Sequence, residues 1–177
     1  MSHRELLMEA VPCRVLGCGL LVIEKGYALA GLTPKLGRYS GIGGKQHPGE
    51  TLRQTAFRES LEELYGIAPS TSLVNTLVVG FKAKPLIDRG GYYYILMSFA
   101  DFNSMCSIVK TYVGDSPYYK TFPASVLDLV LNRYPSDEAE ITELTLVKYS
   151  NKSSTVDAEF INDCLLAEKI LKPLHLL

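Results

Sequence analysis

No apolar run in this chain is long enough to cross a bilayer, and its N-terminus lacks the basic-then-apolar pattern of a signal peptide. The expectation is a cytoplasmic protein with no membrane partner. Cysteine is scarce and follows no pairing pattern. Cys13, Cys18, Cys106 and Cys164 form no CxxC, which argues against zinc ligation and a disulfide framework and predicts reduced, mostly buried thiols. Histidine is scarcer still: His3, His47 and His175 are scattered. Only His47 falls inside a motif, where a solvated loop histidine accounts for it and contact with a phosphate is the alternative. There is no cationic excess either. Lys and Arg number 18 against 19 Asp and Glu, a formal net charge of −1, which argues against broad nonspecific binding of nucleic acid and against DNA as a partner. Repeats and low-complexity tracts are missing. What remains is 177 residues, 47% of them hydrophobic, enough for one domain with a proper core.

Along the chain, residues 13–23 are apolar and β-rich, 24–26 form a turn and 27–32 return as a strand. Residues 33–40 read as a loop with Pro34, Lys35, Gly37 and Arg38. A helix is predicted over 51–64, which holds good helix formers and neither Pro nor Gly. Residues 72–81 and 91–99 read as two strands, joined by a loop containing Pro85 and Arg89-Gly90. Helix is expected at 124–132, strand at 143–149 and an amphipathic helix at 155–171.

The most informative stretch is Gly44-x5-Glu50-x7-Arg58-Glu59-x2-Glu62-Glu63, introduced by Gly41-Ile42-Gly43-Gly44-Lys45 and closed by Gly66-Ile67. On a helix Glu59, Glu62 and Glu63 stand at i, i+3 and i+4, so the three carboxylates point the same way. Like charges on one arc repel unless something cationic sits among them, and no Lys or Arg is interleaved on that arc. Carboxylate oxygens suit hard divalent ions, above all Mg²⁺, which takes a few carboxylates, several waters and substrate phosphates. A solvated acidic face is the bland account. It leaves the glycine loop, Arg58 and the glutamate spacing unexplained.

These residues resemble the signature of the Nudix hydrolases, nearly complete over Gly44 to Ile67; beyond that box the likeness is loose. Two positions depart from the pattern. Ser60 replaces a usual apolar residue, which would loosen packing beneath the helix. Tyr65 stands where the closing Gly is expected, with Gly66 one place late, as if the helix ran one residue longer before its glycine stop. The resemblance implies an α/β fold, a Nudix-type α/β/α sandwich with a mixed sheet, and hydrolysis of a phosphoanhydride with Mg²⁺, or Mn²⁺ in its place, as cofactor. It implies Glu59, Glu62 and Glu63 as metal ligands, Glu59 beside the attacking water and in many members the base. The Gly43 main-chain carbonyl would join them on the metal. Arg58 would point off the acidic face and pair with Glu50, and Lys45 would bind a phosphate, a solvated turn lysine being its alternative. A last acidic ligand is expected from the 136–140 loop, Glu140 ahead of Glu138, with a solvated acidic turn as the alternative to both. Residues 101–134 exceed what a minimal domain of this family needs and read as an insertion.

Gly37 to Lys45 is similar to the Gly-Arg-Trp-Asn-Gly-Phe-Gly-Gly-Lys stretch of MutT-type enzymes acting on oxidised purine nucleoside triphosphates. Here Tyr39 replaces the Trp and Ser40 the Asn. A serine hydroxyl cannot present the paired donor and acceptor of an amide, so Arg38, Tyr39 and Ser40 are candidate substrate contacts without that selectivity. Tyr92 and Tyr94 should share one strand face, with Tyr93 on the other. Three functions follow: a pyrophosphohydrolase of small nucleotides, which the loop favours; a decapping hydrolase acting on capped RNA, for which no dense basic stripe is visible; and a non-catalytic module, which the retained glutamates disfavour. If Leu52, Ala56 and Ser60 face the sheet, Phe57, Leu61 and Leu64 form a second stripe. That stripe should be covered by residues 101–134 or by a second copy in a homodimer, unless the helix is rotated and the stripe is itself the core face.

Overall fold

Alternation in one strand decides the architecture. β1 (Gly17–Glu24) sends Cys18, Leu20 and Val22 to one face and Leu21 and Ile23 to the other, and both sets are buried. A strand buried on both faces needs packing above and below it. The computed structural model describes residues 16–136, 138–151 and 153–172. Cys13, His3, His175 and Asp137 lie outside the described residues.

β1 turns at Lys25 and Gly26, both with positive φ as in a type I′ hairpin, into β2 (Tyr27–Thr33). β3 (Arg38–Ser40) and β7 (Glu143–Lys148) flank β2, both antiparallel. β4 (Ile42–Lys45) pairs antiparallel with β1 from Gly17↔Lys45 to Leu20↔Ile42. β6 (Tyr92–Met97) runs parallel to β1 on its other edge, and β5 (Leu86–Asp88) closes antiparallel on β6. The sheet is therefore mixed, as expected. α1 (Leu52–Tyr65), α2 (Thr71–Gly80), α3 (Phe99–Val113) and α4 (Val126–Leu131) share a core with Cys18, Leu20 and Val22. α5 (Ala158–Leu171) packs Phe160, Ile161 and Cys164 against Leu21 and Ile23 on the opposite face. Helices thus cover both faces, and the layers are α/β/α. Cys18, Cys106 and Cys164 are free and buried. No helix among the described residues is long and apolar enough to cross a membrane.

The expected strand at 72–81 is the helix α2. Its Thr and Val residues suggested a strand, but Ser70 caps the Leu73 N–H, and Leu73, Val74 and Leu77 recur at helical spacing and are buried. The strand expected over 91–99 stops at Met97, because Ser98 and Asp101 form a capping box that starts α3. Residues 101–134, expected to hold one helix, hold most of α3 as well as α4. The two loops at 33–40 and around Pro85 contain the short strands β3 and β5.

α1 opens with a Thr51–Gln54 capping box and ends at Gly66, whose φ of 65° is the left-handed stop expected one residue late. It packs on β1 and β4 on one side. Ser60 does not loosen that contact: it is fully buried, and its hydroxyl donates to the Ala56 carbonyl at 2.6 Å. The second stripe is buried within the same chain. Phe57 lies 5.9 Å from the Phe81 ring at the end of α2, and Tyr65 stacks on Phe122 at 5.1 Å with its hydroxyl 3.1 Å from the Cys106 sulfur. Arg133 completes the cover by donating to the Glu63, Leu64 and Ile141 carbonyls, which ties the C-terminal end of α1 to the entry of β7.

Phe57→Ala should therefore destabilise the protein by about 3–5 kcal/mol in urea unfolding. Val79→Ala, on the exposed face of α2, should stay within about 0.5 kcal/mol. Equal small losses would mean the second stripe is not core.

Candidate functional site

With two flanks of α1 buried, one arc is left open, and it carries Arg58, Glu59 and Glu62 with Glu63 at its inner edge. Three carboxylates in the last two turns oppose the helix dipole, and no basic residue in the last turn offsets them. A local rule broken this way usually marks a site.

Arg58 is the hub. Its Nε donates to Glu50 Oε1 at 2.6 Å, and Nη2 donates to Glu50 Oε2 at 3.2 Å and to the Lys45 carbonyl at 3.0 Å. That clamps the glycine loop to the helix, as expected. Nη1 turns the other way and meets Glu59 at 2.9 Å and Glu62 at 3.0 Å. Arg58 therefore does not point off the acidic face; it lies among the carboxylates, because a guanidinium fork is wide enough to serve the loop and the arc together. Glu50 is also held by the His47 N–H and the Thr55 hydroxyl. Burial opposes its ionisation, but Arg58, the His47 N–H and Thr55 outweigh burial and bring it to about 2.

Glu63 is buried and accepts the Gly43 N–H at 2.8 Å. Burial lifts its pKa to about 8; the Gly43 bond opposes the rise, and the charges of Glu140, Glu59 and Glu62 reinforce it. Burial raises Glu59 as well, against Arg58 and with Glu62 and Glu140. Glu140, exposed beyond α4, thus stands within electrostatic reach of the arc. Glu59 lies directly against the loop: a β-carbon on Gly44 would sit 2.5 Å from Glu59 Oε1 and 2.6 Å from Oε2, so glycine leaves room for the carboxylate where it stands. Among the described residues no three acidic, His or Cys side chains stand close enough to hold a metal ion. Glu59 and Glu62 are turned to Arg58, and Glu63 to the Gly43 amide.

Two cavities share a wall beyond the glycine loop, and no glutamate of the arc lines either. The smaller, about 380 Å³, has Gly17, Gly44, Lys45 and Gly91 in its wall. The larger, about 540 Å³, is lined by Ser40, Gly41, Tyr94 and residues of the α5 end, Phe160 and Asp163 among them. Arg89 and Tyr92 border both. Tyr92 and Tyr94 share a face at 5.0 Å, and Tyr93 packs toward the opposite core, as strand alternation requires. The other loop candidates are spread out. Ser40 lines the larger cavity, Tyr39 donates its hydroxyl to Glu143 at 2.5 Å and borders neither cavity, and Arg38 is exposed at the start of β3. Burial and Glu143 push Tyr39 up to about 12. His47 is exposed, with its ring 4.0 Å from Glu50. Arg89, Phe160 and Asp163 were not legible as site residues, since nothing in the local sequence brings the β5–β6 loop and α5 together.

No family model and no curated protein matches the chain. Among solved structures, a Nudix hydrolase family member from Chromobacterium violaceum is similar at a TM-score of 0.47 and 12% identity, over 91% of this chain and 81% of that one. A MutT Nudix hydrolase from Burkholderia pseudomallei aligns at 0.41 and 15%, over 85% and 95%. A bifunctional NMN adenylyltransferase/ADP ribose pyrophosphatase from Francisella tularensis, complexed with AMP and a Mn ion, aligns at 0.44 and 15%, over 90% of this chain and 41% of that one. Likenesses this distant assign neither a family nor an activity.

Because the pKa of Glu50 is lowered in the folded state, its stabilising contribution is complete above the ordinary value of 4.5 and is lost as pH falls toward 2. The stability gap between wild type and Glu50→Gln should shrink by roughly 2 kcal/mol from pH 6 to pH 3 in denaturant titrations. A gap independent of pH would mean the clamp does not depend on the charge of Glu50.

Proposed function

We propose that this chain is a divalent-metal-dependent pyrophosphohydrolase of the Nudix type, cleaving a phosphoanhydride in a nucleoside di- or triphosphate or a related nucleotide. One juxtaposition carries the proposal: the Glu59 carboxylate rests on the Gly44 backbone, and Gly44 and Lys45 line the same cavity. The acidic arc thus stands against the backbone of a cavity that a lysine borders. That combination suits a phosphate chain, which needs charge neutralisation from both.

Glu59, Glu62 and Glu63, with Glu140 and the Gly43 carbonyl, would hold Mg²⁺, or Mn²⁺ in its place. The donor types suit such an ion, since oxygen ligands match its hardness and a cation relieves the mutual repulsion that helps raise Glu63. The carboxylates must, however, turn from Arg58 and the Gly43 amide to converge on it. When bound, the ion would neutralise phosphate charge and acidify a water molecule. The remaining work falls to the chain's own groups. Lys45 takes a phosphate oxygen as a point charge. Glu59 accepts the proton of the attacking water on a carboxylate oxygen. Arg58 is a positioning residue that holds the loop through Glu50 and the Lys45 carbonyl. Ser40, Tyr92 and Tyr94 offer the nucleoside end a hydroxyl and two rings.

Glu59→Gln and Glu63→Gln should each lower kcat by at least about 10²-fold on whichever member of a nucleotide panel the wild type cleaves. Excess EDTA should abolish that turnover. Full activity in EDTA, or wild-type rates in both variants, would sink the proposal. Release of the cap nucleotide from capped RNA, faster than any free nucleotide is cleaved, would reassign the substrate and keep the glutamates in their roles.

A further inference from the structure

Arg89 and Tyr92 are the residues shared by the walls of the two cavities. The smaller cavity holds the phosphate-end features, Lys45 and the Gly44 backbone under Glu59. The larger has hydroxyl, amide and aromatic surface from Ser40, Asn162 and Tyr94. A molecule with a phosphate chain in one and a nucleoside head in the other must pass between Arg89 and Tyr92. The Tyr92 ring lies where a β-carbon on Gly17 would have to go, and its hydroxyl where one on Gly43 would, so the side chain packs onto both glycines.

Arg89 is fastened at the opposite side. Its Nε donates to Asp163 Oδ1 on α5, and its main-chain N–H donates to the Tyr92 carbonyl at 2.7 Å. The Asp163 side chain is 9% exposed and that of Arg89 36% exposed. The pair is thus anchored at its carboxylate end and open to the cavities at its guanidinium end. A carboxylate on Nε fixes the plane of the guanidinium, and a planar fork held still is suited to phosphate oxygens. The rest of the larger cavity repels a phosphate, since Asp157 and Glu159 also stand in its wall. A phosphate is therefore met by a cation at Lys45 and again at Arg89, and by acids beyond.

Taking the hydrolase reading as its premise, we infer that Arg89 is a substrate-binding residue that holds the phosphate joined to the nucleoside, and that Asp163 is its positioning residue. The two residues set the length of phosphate chain that spans from the nucleoside to the acidic arc.

Steady-state kinetics on a panel of nucleoside di- and triphosphates tests this with Arg89→Gln, Arg89→Lys and Asp163→Asn, each checked for its melting temperature. Arg89→Gln should raise KM about ten-fold or more, with kcat falling by less than KM rises. Inhibition by the parent nucleoside, which has no phosphate, should keep its wild-type Ki. Arg89→Lys should recover part of the loss, and Asp163→Asn should raise KM less than Arg89→Gln. A merely structural clamp between the β5–β6 loop and α5 would lower the melting temperature of all three and weaken nucleoside and nucleotide alike, which would overturn the inference. So would a KM within two-fold of wild type in Arg89→Gln. A wild type that turns over and binds no member of the panel would instead refute the hydrolase reading, and the inference with it.

Discussion

Burial of α1 on two flanks is the constraint on which the site depends. β1 and β4 take one side and α2, α3 and Phe122 the other, so the helix can neither roll nor slide without exposing Phe57, Leu61 or Tyr65. Burying each such side chain is worth roughly 1.5–3 kcal/mol. That exceeds what repulsion among carboxylates in the last turns can cost. The acidic arc is therefore pinned in an unfavourable place by packing elsewhere, and its charge is managed locally by Arg58.

Arg58 acts in two directions because its two ends meet different elements. Toward the loop it holds Glu50 and the Lys45 carbonyl, keeping β4 and the Gly43–Gly44 backbone against the helix. Toward the arc it takes Glu59 and Glu62. A single cation shared by three carboxylates leaves a surplus of negative charge, which adds to the burial that pushes Glu63 up in pKa. Structural clamp and electrostatic deficit come from the same group, so the loop geometry and the appetite of the arc for cations are coupled.

Residues 101–134 are part of this arrangement. α3 begins inside the capping box that ends β6, its Cys106 contacts the Tyr65 hydroxyl, and Arg133 caps the carbonyls of Glu63 and Leu64. Tyr65, an oddity in the motif, becomes intelligible here: it fills the interface that this segment creates.

The sequence alone determined the features that depend on near neighbours. The helix over the motif, its glycine stop at Gly66, the acidic arc, the Lys25–Gly26 turn and the strand alternation of Tyr92 to Tyr94 all follow from spacing along a few turns or pleats. The pairing of Arg58 with Glu50, eight residues apart, follows instead from the resemblance of the motif and not from spacing. Tertiary structure decided the rest. Residues 71–80 have strand-like composition, and only burial of Leu73, Val74 and Leu77 against the core makes them a helix. The second hand of Arg58 on the arc depends on a rotamer, which periodicity does not encode. Arg89 and Asp163 stand 74 positions apart, and no local pattern announces that the sheet brings their loop and helix to one cavity. Short-range spacing controls where a side chain points on its own element, whereas the partner it meets is set by packing of elements distant in the chain.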